Sequence, residues 1–165
     1  DKFDSPANAF SGLANLLGSD EVTSDIIEFN VEFPSEDIQH YLKLKSSDPV
    51  YNIRRLRRLE GKPLILEHTF MPVHLVPNLT EDILHNSIYN YLHHDLKLKF
   101  GVAYRKIKAA KADDWDQKYL KAKKDDPILE LEQIVWLNNG QPVEYSTSRN
   151  RYDERNYVVL ETNSF

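Results

Sequence analysis

No cysteine occurs among the 165 residues, which excludes a disulfide scaffold, a thiolate nucleophile and every thiolate metal site. Nor is there an excess of basic charge: 21 Lys and Arg stand against 26 Asp and Glu, a net of −5. Domains that grip a nucleic-acid backbone through their overall field are normally basic, so this segment does not bind in that way. A separate DNA-binding domain elsewhere in the protein stays open. No apolar run approaches the roughly 18 residues of a membrane span, and no charged-then-apolar leader opens the chain. A soluble cytoplasmic protein without a membrane partner is the expectation. The five glycines form no phosphate-cradling loop, and neither GxSxG nor a nucleophile triad appears. What remains is a chain that is 41 % apolar, with 7 Phe, 9 Tyr and 2 Trp, which is globular composition. At this length a single domain buries roughly 70 % of its unfolded surface and needs no staples.

The first residues, Asp1-Lys2-Phe3-Asp4-Ser5-Pro6-Ala7-Asn8, lack an initiator Met and show neither helix nor strand period. They read as a linker tail. Further on, the chain repeats itself. Gln39-His40-Tyr41-Leu42-Lys43-Leu44-Lys45-Ser46-Ser47-Asp48-Pro49 lies over Gln117-Lys118-Tyr119-Leu120-Lys121-Ala122-Lys123-Lys124-Asp125-Asp126-Pro127 with seven of eleven positions identical at an offset of 78. An apolar run follows each copy, then a turn: Glu60-Gly61-Lys62-Pro63 and Asn139-Gly140-Gln141-Pro142. Two copies are too few for a solenoid and point to a pseudo-symmetric domain whose halves bury each other's apolar faces.

Each half reads as strand, helix, hairpin. Residues 24–33 alternate between polar and apolar with a period of two, and Pro34 stops them. Ser35 with Glu36 and Asp37 then opens a short helix. Residues 50–59 and 64–71 flank a glycine turn and make a hairpin. The second half repeats the order: strand 100–108, helix 113–122, hairpin 128–137 with 143–152, and a final strand over 156–162. Between the halves lies 80–98, with Asn86 as the expected N-cap of a helix. Hairpin connections give an antiparallel sheet with flanking helices, so the fold class is α+β and internally duplicated.

Three places carry candidate chemistry. On a strand, Tyr51, Ile53, Arg55, Arg57 and Leu59 share one face. Two arginines on a mostly apolar face are costly unless an anion or a carboxylate meets them, and guanidinium forks match phosphate oxygens in pairs. A salt-bridge ladder to the chain's own carboxylates explains the same pattern. Arg54 and Arg58, on the other face, read as solvated. Second, Ser87 and Tyr89 fall in the first turn after Asn86, where backbone N–H groups lack intrahelical partners and anions are accepted; an ordinary capped helix is the plain alternative. Third, Glu67 and Glu144 each follow their half's Gly-x-Pro turn inside an apolar stretch. They suit acceptance of sugar hydroxyls, or pairing with Arg55, Arg57 or Arg149. His85, His93, His94 and Asp95 read as a solvated helix face rather than a metal site, and Trp115 and Trp136 as core.

The run from Val50 to Glu67, Val-Tyr-Asn-Ile-Arg-Arg-Leu-Arg-Arg-Leu-Glu-Gly-Lys-Pro-Leu-Ile-Leu-Glu, resembles the first hairpin of the effector-binding (UTRA) domain of GntR-type bacterial repressors, HutC subfamily. Asn86-Ser87-Ile88-Tyr89-Asn90-Tyr91-Leu92 is similar to that family's central helix start. Asn139-Gly140-Gln141-Pro142-Val143-Glu144-Tyr145-Ser146 resembles its second hairpin, and Tyr157-Val158-Val159 its last strand. The likeness runs in order over residues 10–165. It implies a chorismate-lyase-like fold for 10–165, with 1–9 left from a linker to a winged helix-turn-helix. It also implies a homodimer that releases operator DNA on binding a small metabolite, often a phosphosugar. Phosphate-holding positions correspond to Arg55, Arg57, Ser87 and Tyr89, and sugar-holding ones to Glu67 and Glu144. Asn150 stands where some relatives carry a ligand-contacting Tyr. The family's N-terminal loop falls near residues 11–16, with Ser11 over the phosphate but without the usual Phe, and residues 11–17 are expected to order on binding. No catalytic residue, metal or cofactor is implied. A chorismate-lyase-like enzyme on the same fold is the rival reading. A regulator with a non-phosphate effector is a third, in which the arginines are internally paired.

Overall fold

The computed structural model describes residues 3–6 and 21–162. The elements are strands β1 (Phe3–Pro6) and β2 (Val22–Glu32), helix α1 (Glu36–Leu42), and the hairpin β3 (Val50–Leu59) and β4 (Lys62–Pro72). Helix α2 (Glu81–His85) and a single turn, α3 (Ile88–Asn90), follow, the latter running on as a π-turn over Tyr91–Asp95. The second half has β5 (Phe100–Lys111), α4 (Asp114–Tyr119), the hairpin β6 (Pro127–Leu137) and β7 (Pro142–Arg151), and last β8 (Arg155–Val158). Among the described residues no helix is long and apolar enough to cross a membrane.

Six strands form one antiparallel sheet in the order β2-β3-β4-β7-β6-β5. The duplication is visible atom by atom. Asp48 Oδ2 accepts from Lys45 N at 2.8 Å, and Asp126 Oδ2 accepts from Lys123 N at the same 2.8 Å. Lys43 and Lys121, each just past its helix, both take left-handed φ, 52° and 59°. Ser35 and Asp113 cap the two helices by accepting from Ile38 N and Asp116 N, as residues of those types do. The hairpin turns are closed by Gly61 and Gly140 at φ 80° and 86°, where a side chain would be strained. The bulges within the two hairpins also correspond, at Arg57/Arg58 and Val135/Trp136.

Residues directly opposite across an antiparallel ladder point to the same side, so the register sorts the sheet into two faces. Helices α1 and α4 cover one face, packing Ile38, Leu42 and Val50 in one cluster and Leu56, Leu66 and Leu120 in another. The segment joining the halves covers part of the other face. There Tyr51, Ile53, Met71, Leu84, Ile88, Leu92 and Val135 make the largest core cluster.

Three expectations need correction. Residues 3–6, which show no strand period in the sequence, form β1, which pairs in parallel with β8 as a separate two-stranded sheet. The last strand begins at Arg155 and ends at Val158, a shift from 156–162. The helix cap is Ser87, whose Oγ accepts from Asn90 N at 3.2 Å, whereas Asn86 closes α2 and returns its amide N–H to Ile83 O at 3.0 Å. Both residue types cap helices, and the chain uses them back to back.

Candidate functional site

Beyond the edge of the main core, the face under α2 turns polar. Arg55 lies opposite Glu67, and Arg57 lies opposite Ser24 on β2 and Ile65 on β4. Both arginines are buried, at 4 % and 6 % exposure. Arg55 is fully engaged on its outer nitrogens: Nη2 donates to Glu67 Oε2 at 2.8 Å, and Nη1 donates to Leu84 O at 2.8 Å and Asn86 O at 3.4 Å. Those carbonyls end α2, where unsatisfied acceptors and the negative end of the helix favour a cation. Arg57 is different. Its nearest carboxylate oxygen, Glu67 Oε1, is 3.7 Å from Nη1, and it makes no hydrogen bond among the described residues. Burial pushes its guanidinium pKa down, Glu67 pulls it back up, and Arg55 and Arg155 lower it further. Burial opposes the charge on Glu67, but Arg55 and Arg57 outweigh it and hold the carboxyl below its ordinary range. Ser24 Oγ, beside Arg57, is likewise buried and has no partner among the described residues.

A second cluster adjoins this one. Tyr89 Oη donates to Glu144 Oε2 at 2.6 Å, and Gln133 Nε2 donates to Tyr89 Oη at 2.9 Å and to Glu144 Oε2 at 3.2 Å. Gln133 is oriented by Arg105, whose Nε donates to its Oε1 at 2.6 Å. Burial pushes the Glu144 carboxyl up, and the Glu67 charge adds to that, against the bonds from Tyr89 and Gln133. Tyr89 is raised well above its usual value by burial and by Glu144. Between the clusters, the two central strands turn Glu67, Thr69, Ser146 and Ser148 to the same side. The floor is therefore lined with hydroxyls.

Asn150 is fully buried at the same end of β7. Its Nδ2 donates to Leu129 O (3.3 Å) and Tyr157 Oη (3.2 Å), and its Oδ1 accepts from Arg155 Nη1 at 3.3 Å.

The structure thus brings together Arg55, Arg57, Glu67, Tyr89 and Glu144, with Asn150 adjoining through Arg155. Ser87 is not joined to them by any hydrogen bond; its hydroxyl serves the cap, and it lines an outer cleft of about 310 Å³ with Asp82, Asn90 and Asp95. Ser11 and the stretch 11–17 lie outside the described residues. Glu67 pairs with arginines, as the ladder reading has it, but Glu144 does not: its partners are Tyr89 and Gln133. Arg149 instead serves the opposite face, bound to Asp116 Oδ2 at 2.8 Å and Glu130 Oε1 at 3.1 Å. Arg54 is not solvated. It lies 4.0 Å over the Trp115 ring with Glu28 at 3.6 Å, and Trp115, 37 % exposed, is a surface platform rather than core. Arg58 pairs with Asp25 at 2.8 Å near the surface. His93 and His94 are exposed, and among the described residues no group of three or more His, Asp or Glu is placed to hold a metal.

Sequence reasoning missed Ser24, Thr69, Gln133, Ser146, Ser148 and Arg155. Gln133 had a signal: it lies at the duplication's offset of 78 from Arg55. The serines had another, the alternation of Glu144, Ser146, Ser148 and Asn150 along one strand face.

A duplicated antiparallel sheet with a charged, hydroxyl-floored face beneath its central helices belongs to a known class. A GntR-family transcriptional regulator from Bacillus cereus has the same fold, with a TM-score of 0.77 and 32 % identity over 86 % of this chain and 99 % of that one. The effector-binding domain of the Bacillus subtilis trehalose repressor TreR matches with a TM-score of 0.78 and 29 % identity, over 87 % of this chain and 99 % of that one. These define the class, the chorismate-lyase-like effector-binding domain of GntR-type regulators. Residues 18–155 match the UTRA domain model, and the chain belongs to the UTRA domain family. In sequence it is 45 % identical over 157 residues to the HTH-type transcriptional regulator GmuR of Bacillus subtilis, covering 95 % of this chain and 65 % of that protein. The chain therefore spans somewhat less than two thirds of this relative's length.

Proposed function

We propose that this sheet face is the effector pocket of a transcriptional repressor and that its ligand is a sugar phosphate. The observation that carries the reading is Arg57, a buried guanidinium without a hydrogen bond among the described residues. Burying an ion costs several kcal/mol unless it is paired and hydrogen-bonded. The non-phosphate alternative requires both arginines to be held internally; Arg55 is hydrogen-bonded through both outer nitrogens, whereas Arg57 meets only the Glu67 carboxylate, at 3.7 Å. A phosphate supplies the missing charge and two parallel acceptor oxygens for the guanidinium fork. Glu67 and Glu144, over the hydroxyl-lined floor, then take the sugar hydroxyls, with Asn150 at the far edge and Tyr89 holding Glu144 in place. Ser11 and Ser87 are assigned to the phosphate end by resemblance. The TreR domain is the effector-binding domain of a trehalose repressor, which accords with a sugar-type effector here.

In the whole protein, a helix-turn-helix domain joined before residue 10 holds operator DNA, two copies pair, and the protein is cytoplasmic and performs no catalysis. Occupancy changes DNA affinity only so far as the ligand prefers one of two dimer arrangements. A thermal-shift screen of hexose and disaccharide phosphates, each beside its unphosphorylated sugar, tests the pocket. A true effector at 100 times its dissociation constant stabilises by about 2.7 kcal/mol, and its parent sugar does not. If no phosphorylated sugar stabilises the protein beyond its parent, the reading fails.

A further inference from the structure

We infer that Arg155 is a third guanidinium of this pocket and that it couples occupancy to the N-terminal strand β1. The inference rests on the effector reading above. Arg155 opens β8 and is 7 % exposed. Its Nη1 reaches Asn150 Oδ1 on β7 at 3.3 Å, and its guanidinium lies 4.6 Å over the Tyr157 ring, whose hydroxyl accepts from the same Asn150. Its charge is felt by both Arg57 and Glu67, so the three groups occupy one electrostatic neighbourhood. Arg55, Arg57 and Arg155 all bear on the Glu67 carboxylate and together hold it below its ordinary range against its burial.

The consequence for β1 follows from register. β8 is held to β1 by a parallel ladder with Phe3 opposite Arg155 and Ser5 opposite Tyr157. This ladder is not part of the six-stranded sheet. Arg155 and Tyr157 join it to the sheet through Asn150. A phosphate between Arg57 and Arg155 relieves their repulsion, fixes the Arg155–Asn150–Tyr157 group and steadies β8, and with it β1. The N-terminal strand is the segment nearest the proposed DNA-binding domain.

The test uses glucose 6-phosphate and inorganic phosphate as probes on the unchanged chain and on Arg57→Gln, Arg155→Gln and Arg155→Lys. Affinity is measured by calorimetry and backbone amide exchange at residues 3–5 by mass spectrometry. Thermal unfolding checks that each variant folds, and Arg155→Lys keeps the charge if Arg155→Gln does not. The expected result is a loss of about tenfold or more in affinity for Arg57→Gln and Arg155→Gln, as for a lost charge-assisted contact. Saturation slows exchange at residues 3–5 by roughly fivefold in the unchanged chain and in neither Arg155 variant. If the Arg155 variants bind as tightly as the unchanged chain, or still protect residues 3–5, while Arg57→Gln is weakened, the inference is overturned and the pocket stands. If Arg57→Gln binds both probes as the unchanged chain does, or neither probe binds at all, the pocket itself is wrong and the inference falls with it.

Discussion

Arg57 Nη1 stops 3.7 Å short of Glu67 Oε1, although both groups lie on one sheet face and carry opposite charge. Two residues earlier on the same strand, Arg55 closes on the other oxygen of that carboxylate at 2.8 Å. The register accounts for the difference: Glu67 lies directly opposite Arg55, and Arg57, opposite Ile65, reaches it only on the diagonal. One arginine is spent on structure and the other is held in reserve.

The two arginines accordingly separate on mutation. Arg55→Ala strands the Leu84 carbonyl and most of the Glu67 charge, and is expected to cost about 3 kcal/mol of stability, read by denaturant unfolding. Arg57→Gln is expected to leave the ligand-free protein within about 1 kcal/mol of the original, because it removes a charge that had no hydrogen bond. It nevertheless abolishes the stabilisation by phosphosugar. Equal stability losses for the two would refute this division.

Glu144 gives a pH signature. Burial first, and the Glu67 charge second, raise its folded-state pKa above the unfolded value of 4.5. Its ionisation therefore works against the fold. Stability is fully present below the unfolded value and declines as pH climbs through the raised folded one. Glu144→Gln keeps an acceptor for Tyr89 and removes that decline. Its melting temperature should match the original near pH 4 and exceed it at pH 7; a constant difference between the two pH values would contradict the assignment.

His68 has the reverse sensitivity. It sits on the helix-covered face, where Nε2 meets Asn52 Oδ1 at 2.6 Å, and burial followed by the Arg54 charge lowers its pKa to about 4. The folded state resists protonation, so this stability is present above the unfolded pKa of 6.5 and lost as pH falls from there to 4. After discounting for partial exposure the loss is about 2 kcal/mol. His68→Gln should show a correspondingly smaller decline between pH 7 and pH 4 in thermal unfolding. A decline as large as that of the unchanged protein would show that His68 titrates normally.

Arg149 anchors α4. Its Nε and Nη2 grip the fully buried Asp116, and its Nη1 holds Glu130. Arg149→Met leaves Asp116 charged and unpaired, and a loss of about 3–5 kcal/mol is expected in urea unfolding. A cost under about 1 kcal/mol would mean that the pair merely breaks even.

The sheet was legible because its signals are local. Alternation over β2, glycines 61 and 140 at the turns, and Ser35 before Glu36-Asp37 each fix an element within a few residues. The duplication then supplied the order of the halves, and the matched Asp48 and Asp126 caps show why those residues recur. Arg55, Arg57 and Glu67 were legible for the same reason: strand parity puts them on one face. Arg155 was not. Its direction is set by a parallel ladder between the two ends of the chain, and nothing in its own neighbourhood announces that pairing. Asn86 and Ser87 were confused because neighbouring residues of equal capping strength leave the choice to tertiary packing.

Arg57 itself offers the most direct measurement. Its Nε–H resonance, identified by its absence in Arg57→Gln, can be followed in nitrogen-15 NMR as inorganic phosphate and then a hexose 6-phosphate are added. A buried guanidinium awaiting an anion predicts a saturable shift of that resonance, stronger with the sugar phosphate than with phosphate alone. A resonance that stays fixed through saturating additions of both would contradict the account.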